Sequence, residues 1–208
     1  MIIKARHHAF IYPFFQWYSR RIIKRHFDQV IIHGEFNNCN QPVLLVSNHT
    51  SWWDGFWAMY LNLELFKRKF HFMMLKSQLH KYWYFNFSGG YSVEQKSRSA
   101  LESIDYTVEL LSQSDNLVLM FPQGKLQSMH RQNFEFQKGI ERIVEKAGRN
   151  NIQLVFLVNI TEYLSKQRPA LHQYVMEYTG SSSSVDEIQL HYNDFCRQCF
   201  EQHYKMEE

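Results

Sequence analysis

Four short runs along the chain are apolar at nearly every position: residues 43–46, 70–75, 117–121 and 152–158. Runs of this length that do not alternate with polar residues predict strands buried on both faces, the pattern of a parallel sheet covered by helices. Between the runs the spacing changes. Leu101, Ile104, Val108 and Leu111 recur at helical intervals over residues 99–112, and Ile140, Ile143 and Val144 do so over residues 139–146. Strand, helix and strand in this order imply an α/β fold with a largely parallel central sheet flanked by helices. Near the end, the serines at 181–184 form a polar spacer, and Ser184 followed by Glu187 has the spacing of a capping box. A helix is expected over residues 185–205, with Ile188, Tyr192, Phe195 and Cys199 on its inner face.

With 208 residues and no internal repeat, the chain reads as a single domain over 1–208, with a core over 40–160. Charge modifies this picture at one end. Residues 1–34 carry Lys4, Arg6, Arg20, Arg21, Lys24 and Arg25 against Asp28, while the whole chain is only +3. Those cations alternate with Phe10, Tyr12, Phe14, Phe15, Trp17 and Tyr18, which predicts a basic aromatic helical segment over residues 1–30. Such a segment suits a membrane interface, and equally suits a helix that covers its own core. The longest apolar runs fall far short of the roughly 18 residues that span a bilayer, so no crossing helix is expected. Pro13 and the cations after it interrupt any signal-peptide core, so the expected location is cytoplasmic, peripheral on the inner face of the cell membrane. No nucleic-acid motif accompanies the basic segment, and nucleic acid is not an expected partner. Three cysteines, at 39, 196 and 199, are an odd count, read as buried or half-buried thiols rather than disulfides. The spacing of the eleven histidines suggests no metal site.

Candidate chemistry gathers just beyond the apolar runs. Asn48-His49-Thr50-Ser51-Trp52-Trp53-Asp54 follows the first run, and Phe121-Pro122-Gln123-Gly124-Lys125 follows or closes the third. In a parallel sheet the carboxyl ends of the strands open onto one crevice, so the two segments should converge. A neutral imidazole there, with a carboxylate that fixes its tautomer, is a ready general base for a hydroxyl group. No Gly-x-Ser-x-Gly elbow and no suitably placed cysteine offers a covalent nucleophile, which favours direct attack by a substrate hydroxyl. Trp52 and Trp53 suggest an apolar channel or a membrane-facing edge, and Phe134 and Phe136 either core packing or the wall of such a channel.

Taken with Met74-Leu75-Lys76-Ser77 and Phe87-Ser88-Gly89-Gly90-Tyr91-Ser92-Val93-Glu94 between them, and Phe136-Gln137-Lys138-Gly139 after, these segments resemble in order and separation the glycerolipid and lysophospholipid acyltransferase family. The family's first block is Asn-His-x4-Asp and its third Phe-Pro-Glu-Gly-Thr-Arg. The resemblance implies a glycerol-phosphate acyltransferase-like fold and transfer of a fatty acyl group from acyl-CoA or acyl carrier protein to a lysophospholipid or other lipid-like hydroxyl. It implies His49 as general base, Asp54 as its orienting partner, the thioester as co-substrate, and no further cofactor. Substrate contacts would fall to Asn48, Lys76, Gly89, Gly90, Phe121, Pro122, Gln123, Gly124 and Lys125. The chain departs from the family where Gln123 and Leu126 replace Glu and Arg, and where Val158-Asn159-Ile160 stands for a Val-Pro-Val-type strand. The family's cations normally receive a phosphate, so bidentate recognition is weakened here, with Lys96, Arg98 and Lys125 as replacements. Two other readings remain open: a thioester hydrolase using the same pair, and a non-catalytic lipid-binding relative.

Overall fold

A computed structural model describes residues 1–94 and 99–206; Lys96 and Arg98 lie outside them. Seven strands form one sheet: β1 (Val30–His33), β2 (Val43–Ser47), β3 (Lys69–Leu75), β4 (Gly90–Val93), β5 (Asn116–Met120), β6 (Gln153–Glu162) and β7 (Ala170–Glu177). Their order is β1-β7-β6-β2-β5-β3-β4. Every neighbouring pair is parallel except β6 with β7. The expected α/β class and mostly parallel sheet are therefore present. β2 and β5 are buried at every position, which is why their sequences do not alternate.

Among the described residues the α-helices are α1 (Ile11–His26), α2 (Asp54–Leu61), α3 (Lys76–Lys81), α4 (Ser99–Leu110), α5 (Gly139–Ala147) and α6 (Val185–Tyr204). One apolar cluster lies on the side of the sheet covered by α4, α5 and α6, with Leu44, Val118, Ile140, Leu154 and Ile188 among its members. A second, with Leu45, Ala58, Leu61 and Leu119, lies under α2. Phe134 and Phe136 belong to the first cluster and pack on Tyr192, so they are core residues.

Several expectations change. The helix within residues 1–30 begins only at Ile11, because the preceding residues run beside 86–92 and bond to them through Arg6 N–H to Asn86 O and Ser92 N–H to Ile3 O. Ser184 is the N-cap of α6 but its hydroxyl makes no capping bond; Asp186 and Glu187 in the first turn complement the helix dipole instead. Cys39 is exposed, against the reading of all three cysteines as covered, while Cys196 and Cys199 are buried free thiols. Burial pushes Cys196 up to about 12, so it is inert at neutral pH.

Two buried histidines give the fold a pH dependence. Burial pushes His71 on β3 down to about 3, and His172 on β7 down to about 4, the latter helped by His203 and His33. In the unfolded chain both take up a proton near 6.5. The unfolded state thus binds more protons below that value, and stability present at neutral pH is lost as pH falls through 6.5 towards 4 and 3. Melting temperature measured against pH should fall across this window, and His71→Gln and His172→Gln should each flatten the slope.

Candidate active site

β2 ends at Ser47, and the chain must leave the sheet there to present His49. Asn48 makes this break possible. Its side-chain Oδ1 accepts from the Asn159 backbone N–H at 3.1 Å and its Nδ2 donates to the Asn159 carbonyl at 3.4 Å. The amide takes the place of a backbone rung on β6 and leaves the backbone free to turn. Both ends of Asn48 are thereby engaged with the protein, so it positions the site from beneath.

The loop after His49 closes on Asp54, the first residue of α2. A carboxylate at a helix N-terminus is favoured by the helix dipole. Its Oδ2 accepts from Thr50 N–H at 2.6 Å, Ser51 N–H at 2.9 Å and His49 Nδ1 at 2.8 Å. Because an ionised carboxylate only accepts, Nδ1 carries the proton and Nε2 holds a lone pair. The Asp54 side chain is fully covered, whereas 30% of the His49 side chain is exposed. A partly exposed imidazole thus rests on a buried carboxylate.

Phe121 fixes the ring plane. Its ring stacks on His49 with centroids 4.2 Å apart and planes 16° from parallel. The turn that follows β5 closes through Gly124 N–H to Phe121 O, with Gly124 at φ +66°, a conformation that favours glycine. Gln127 N–H then donates to the His49 carbonyl at 2.9 Å. The segments after β2 and β5, more than seventy residues apart in sequence, thus meet as expected. Pro122 and Gln123 are buried within this turn, and Gln123 is 3% exposed with no hydrogen-bond partner for either amide atom among the described residues. Lys125 follows on the exposed surface.

The remaining candidates lie at β4 and just beyond β3. Lys76 opens α3 beyond the carboxyl end of β3, with its ammonium 3.6 Å from Glu94, and lines a cleft of about 330 Å³ with Leu75, Ser77, His80 and Val93. Gly90 pairs with Phe72, which pairs with Leu119 and so is level with Leu45, four residues short of His49. Gly89 and Gly90 therefore stand below the level of His49. Both positions require glycine for packing: a Cβ at Gly89 would collide with Phe70 O, and one at Gly90 would meet Phe85 O at 2.7 Å.

Asn159 and Gln173 are the residues near the site that sequence patterns did not single out as site groups. A polar residue inside the apolar run of β6 was the visible signal for Asn159. For Gln173 there was none, because β7 itself was not legible.

Comparison with known proteins follows the geometry. A family model described as Acyltransferase matches residues 29–158. A 1-acyl-sn-glycerol-3-phosphate acyltransferase from Streptococcus pneumoniae is 28% identical over 94 residues, covering 44% of this chain and 34% of that protein. The matched stretch thus spans about a third of that relative's length. The crystal structure of the 1-acyl-sn-glycerophosphate (LPA) acyltransferase PlsC from Thermotoga maritima superposes with a TM-score of 0.63 at 16% identity, over 93% of this chain and 80% of that one. At that identity the likeness is one of fold. The match over 29–158 covers more than half of the chain and contains both His49 and Asp54, and on that basis this protein belongs to the acyltransferase family.

Proposed function

We propose that this chain is an O-acyltransferase that moves a fatty acyl group from an acyl-CoA or acyl carrier protein thioester to the hydroxyl of a lysophospholipid or other lipid-like acceptor. The observation that carries this reading is the His49–Asp54 pair, with Nδ1 held at 2.8 Å and 30% of the His49 side chain exposed. The acceptor O–H gives its proton to His49 Nε2 as the oxygen attacks the thioester carbonyl carbon. Asp54 stabilises the imidazolium that forms. The tetrahedral adduct then collapses, the C–S bond breaks, and the imidazolium returns the proton to the departing thiolate. Ester and thiol are the products.

Delivery of an apolar acceptor has support in the surface around the site. Trp52 in the catalytic loop is 55% exposed and contacts Tyr82, with ring centroids 5.3 Å apart. From Tyr82 the aromatic contacts continue through Tyr84 and Phe15 to Phe14 and Trp17 on α1, the last 57% exposed. Arg20, Arg21, Lys24 and Arg25 follow on the same helix. Aromatic rings beside cations suit the headgroup layer of an anionic membrane. No helix among the described residues is long and apolar enough to cross a membrane, and the proposed contact is peripheral, from the cytoplasmic side. Cosedimentation with anionic vesicles should be strong for the native chain and weak for the Trp17→Ala, Trp52→Ala double variant; equal binding would remove the membrane from the proposal.

Gln123 offers a test of where the acceptor is held. A buried amide with no partner is unfavourable by about 1–3 kcal/mol, a cost that hydrogen bonds from a bound acceptor would offset. Gln123→Met should leave the melting temperature unchanged or higher while acyl transfer falls. A loss of stability without loss of turnover would place Gln123 in the packing alone.

The function itself is tested by following thiol release from acyl-CoA and acyl carrier protein donors, with and without a panel of lysophospholipids. Release that requires an acceptor and matches ester formed supports transfer. Release of fatty acid without an acceptor identifies a hydrolase, and no release with any donor identifies a non-catalytic lipid-binding relative.

A further inference from the structure

The His49 and Asp54 side chains come from two elements joined by a short loop, whose Thr50 and Ser51 N–H groups bond to Asp54. His49 hangs from the end of β2, inside the sheet, whereas Asp54 starts a helix that lies on the sheet surface. Between these elements runs a buried chain of amides. Asn48 is bonded at both ends of its side chain to the Asn159 backbone. Asn159 Oδ1 accepts from Gln173 Nε2 at 3.0 Å, the two residues being paired across β6 and β7. Asn159 Nδ2 also donates to Ser47 Oγ at 3.3 Å. Gln173 Nε2 donates in turn to the carbonyl of Trp57, one turn along α2 from Asp54, at 3.2 Å. Ser47, Asn48, Asn159 and Gln173 are all at most 3% exposed.

We propose that Asn159 and Gln173 are positioning residues that hold the His49 end of β2 and the Asp54 helix at a fixed separation. The inference rests on His49 acting as the base. Burying three amides in a largely apolar layer is a poor route to stability, since each polar atom must be desolvated, and Gln173 Oε1 finds no partner among the described residues. An apolar side chain from β7 fills the same space at lower cost but lets α2 slide over the sheet. Hydrogen bonds are directional, and this relay fixes the helix along the strand axis. Asn159 and Gln173 lie beyond the matched family segment, which ends at residue 158, whereas Ser47, Asn48 and Trp57 lie within it.

Two variants break the same link from opposite sides. Gln173→Met keeps the volume and removes the donors; Asn159→Ser keeps the backbone N–H for Asn48 and shortens the side chain out of reach of Gln173. Each should lower kcat about tenfold, as expected for a misplaced catalytic group, with KM for donor and acceptor unchanged. In the double variant the loss should again be about tenfold rather than the product of the two, since the link is already cut. The low-field proton resonance of His49 Nδ1 should broaden or move in both. Should one variant fail to fold, the other carries the prediction alone. A single variant with kcat within twofold of the native chain, or losses that multiply, overturns the proposal. If these variants are unaffected while His49→Ala is inactive, the base survives and only the relay falls; if His49→Ala keeps its turnover, both fall.

Discussion

Replacing His49 by Ala lowers acyl transfer by at least about 10²- to 10⁴-fold, the usual contribution of a general base, and leaves the fold in place. The expected preservation of structure follows from the site's geometry. The His49 side chain is partly exposed and touches the protein through the Phe121 ring and one bond to Asp54, so truncation opens no deep cavity. Asp54 loses one donor but keeps the N–H groups of Thr50 and Ser51. Melting temperature and circular dichroism close to native, together with turnover reduced by this factor, are the paired readouts.

Asp54→Asn should produce a different signature from an equally small change. The native Oδ2 is surrounded by three donors, and an amide presents either a nitrogen, which clashes with all of them, or an oxygen that lacks the charge. With the charge gone, the imidazolium is no longer stabilised, and the preference for a proton on Nδ1 is weakened. Turnover should fall by about 10²- to 10⁴-fold, as for the base itself. Unlike His49→Ala, this variant should also lose stability, by about 1–3 kcal/mol, because the half-buried N–H groups of Thr50 and Ser51 in the loop before α2 are left poorly paired. Kinetics and denaturant titration of both variants distinguish the roles: loss of activity alone at His49, loss of activity with stability at Asp54.

The contrast between what patterns reveal and what they hide has physical causes here. The runs at β2, β5 and much of β6 were legible because strands covered on both faces contain little but apolar residues. β7 was hidden by His172 and Gln173, which are buried yet polar, and so break the run that marks a covered strand. β4 has only four residues and begins with glycine, while β1 is half-buried at the sheet edge; neither gives a long apolar signal. The spacing of His49 and Asp54 was visible in one segment, and their direct bond follows from a loop that returns to its own helix start. Asn48 stands beside His49 in the chain, but the partner of its side chain is 111 residues away in sequence. No local pattern carries such a contact. The same is true of Gly89, whose neighbour is the Phe70 carbonyl on the adjacent strand.

Direct transfer through one imidazole makes a demand that a single-turnover experiment meets. The native chain and His49→Ala are each mixed in excess with a thioester labelled in its acyl group, in the presence of a lysophospholipid, and the label is followed into lipid, free fatty acid and protein. The native chain should pass the label to lipid with no labelled protein along the way, and in the variant the label should stay on the donor. Label recovered covalently on the native protein, or equal conversion by the variant, would contradict direct attack assisted by His49.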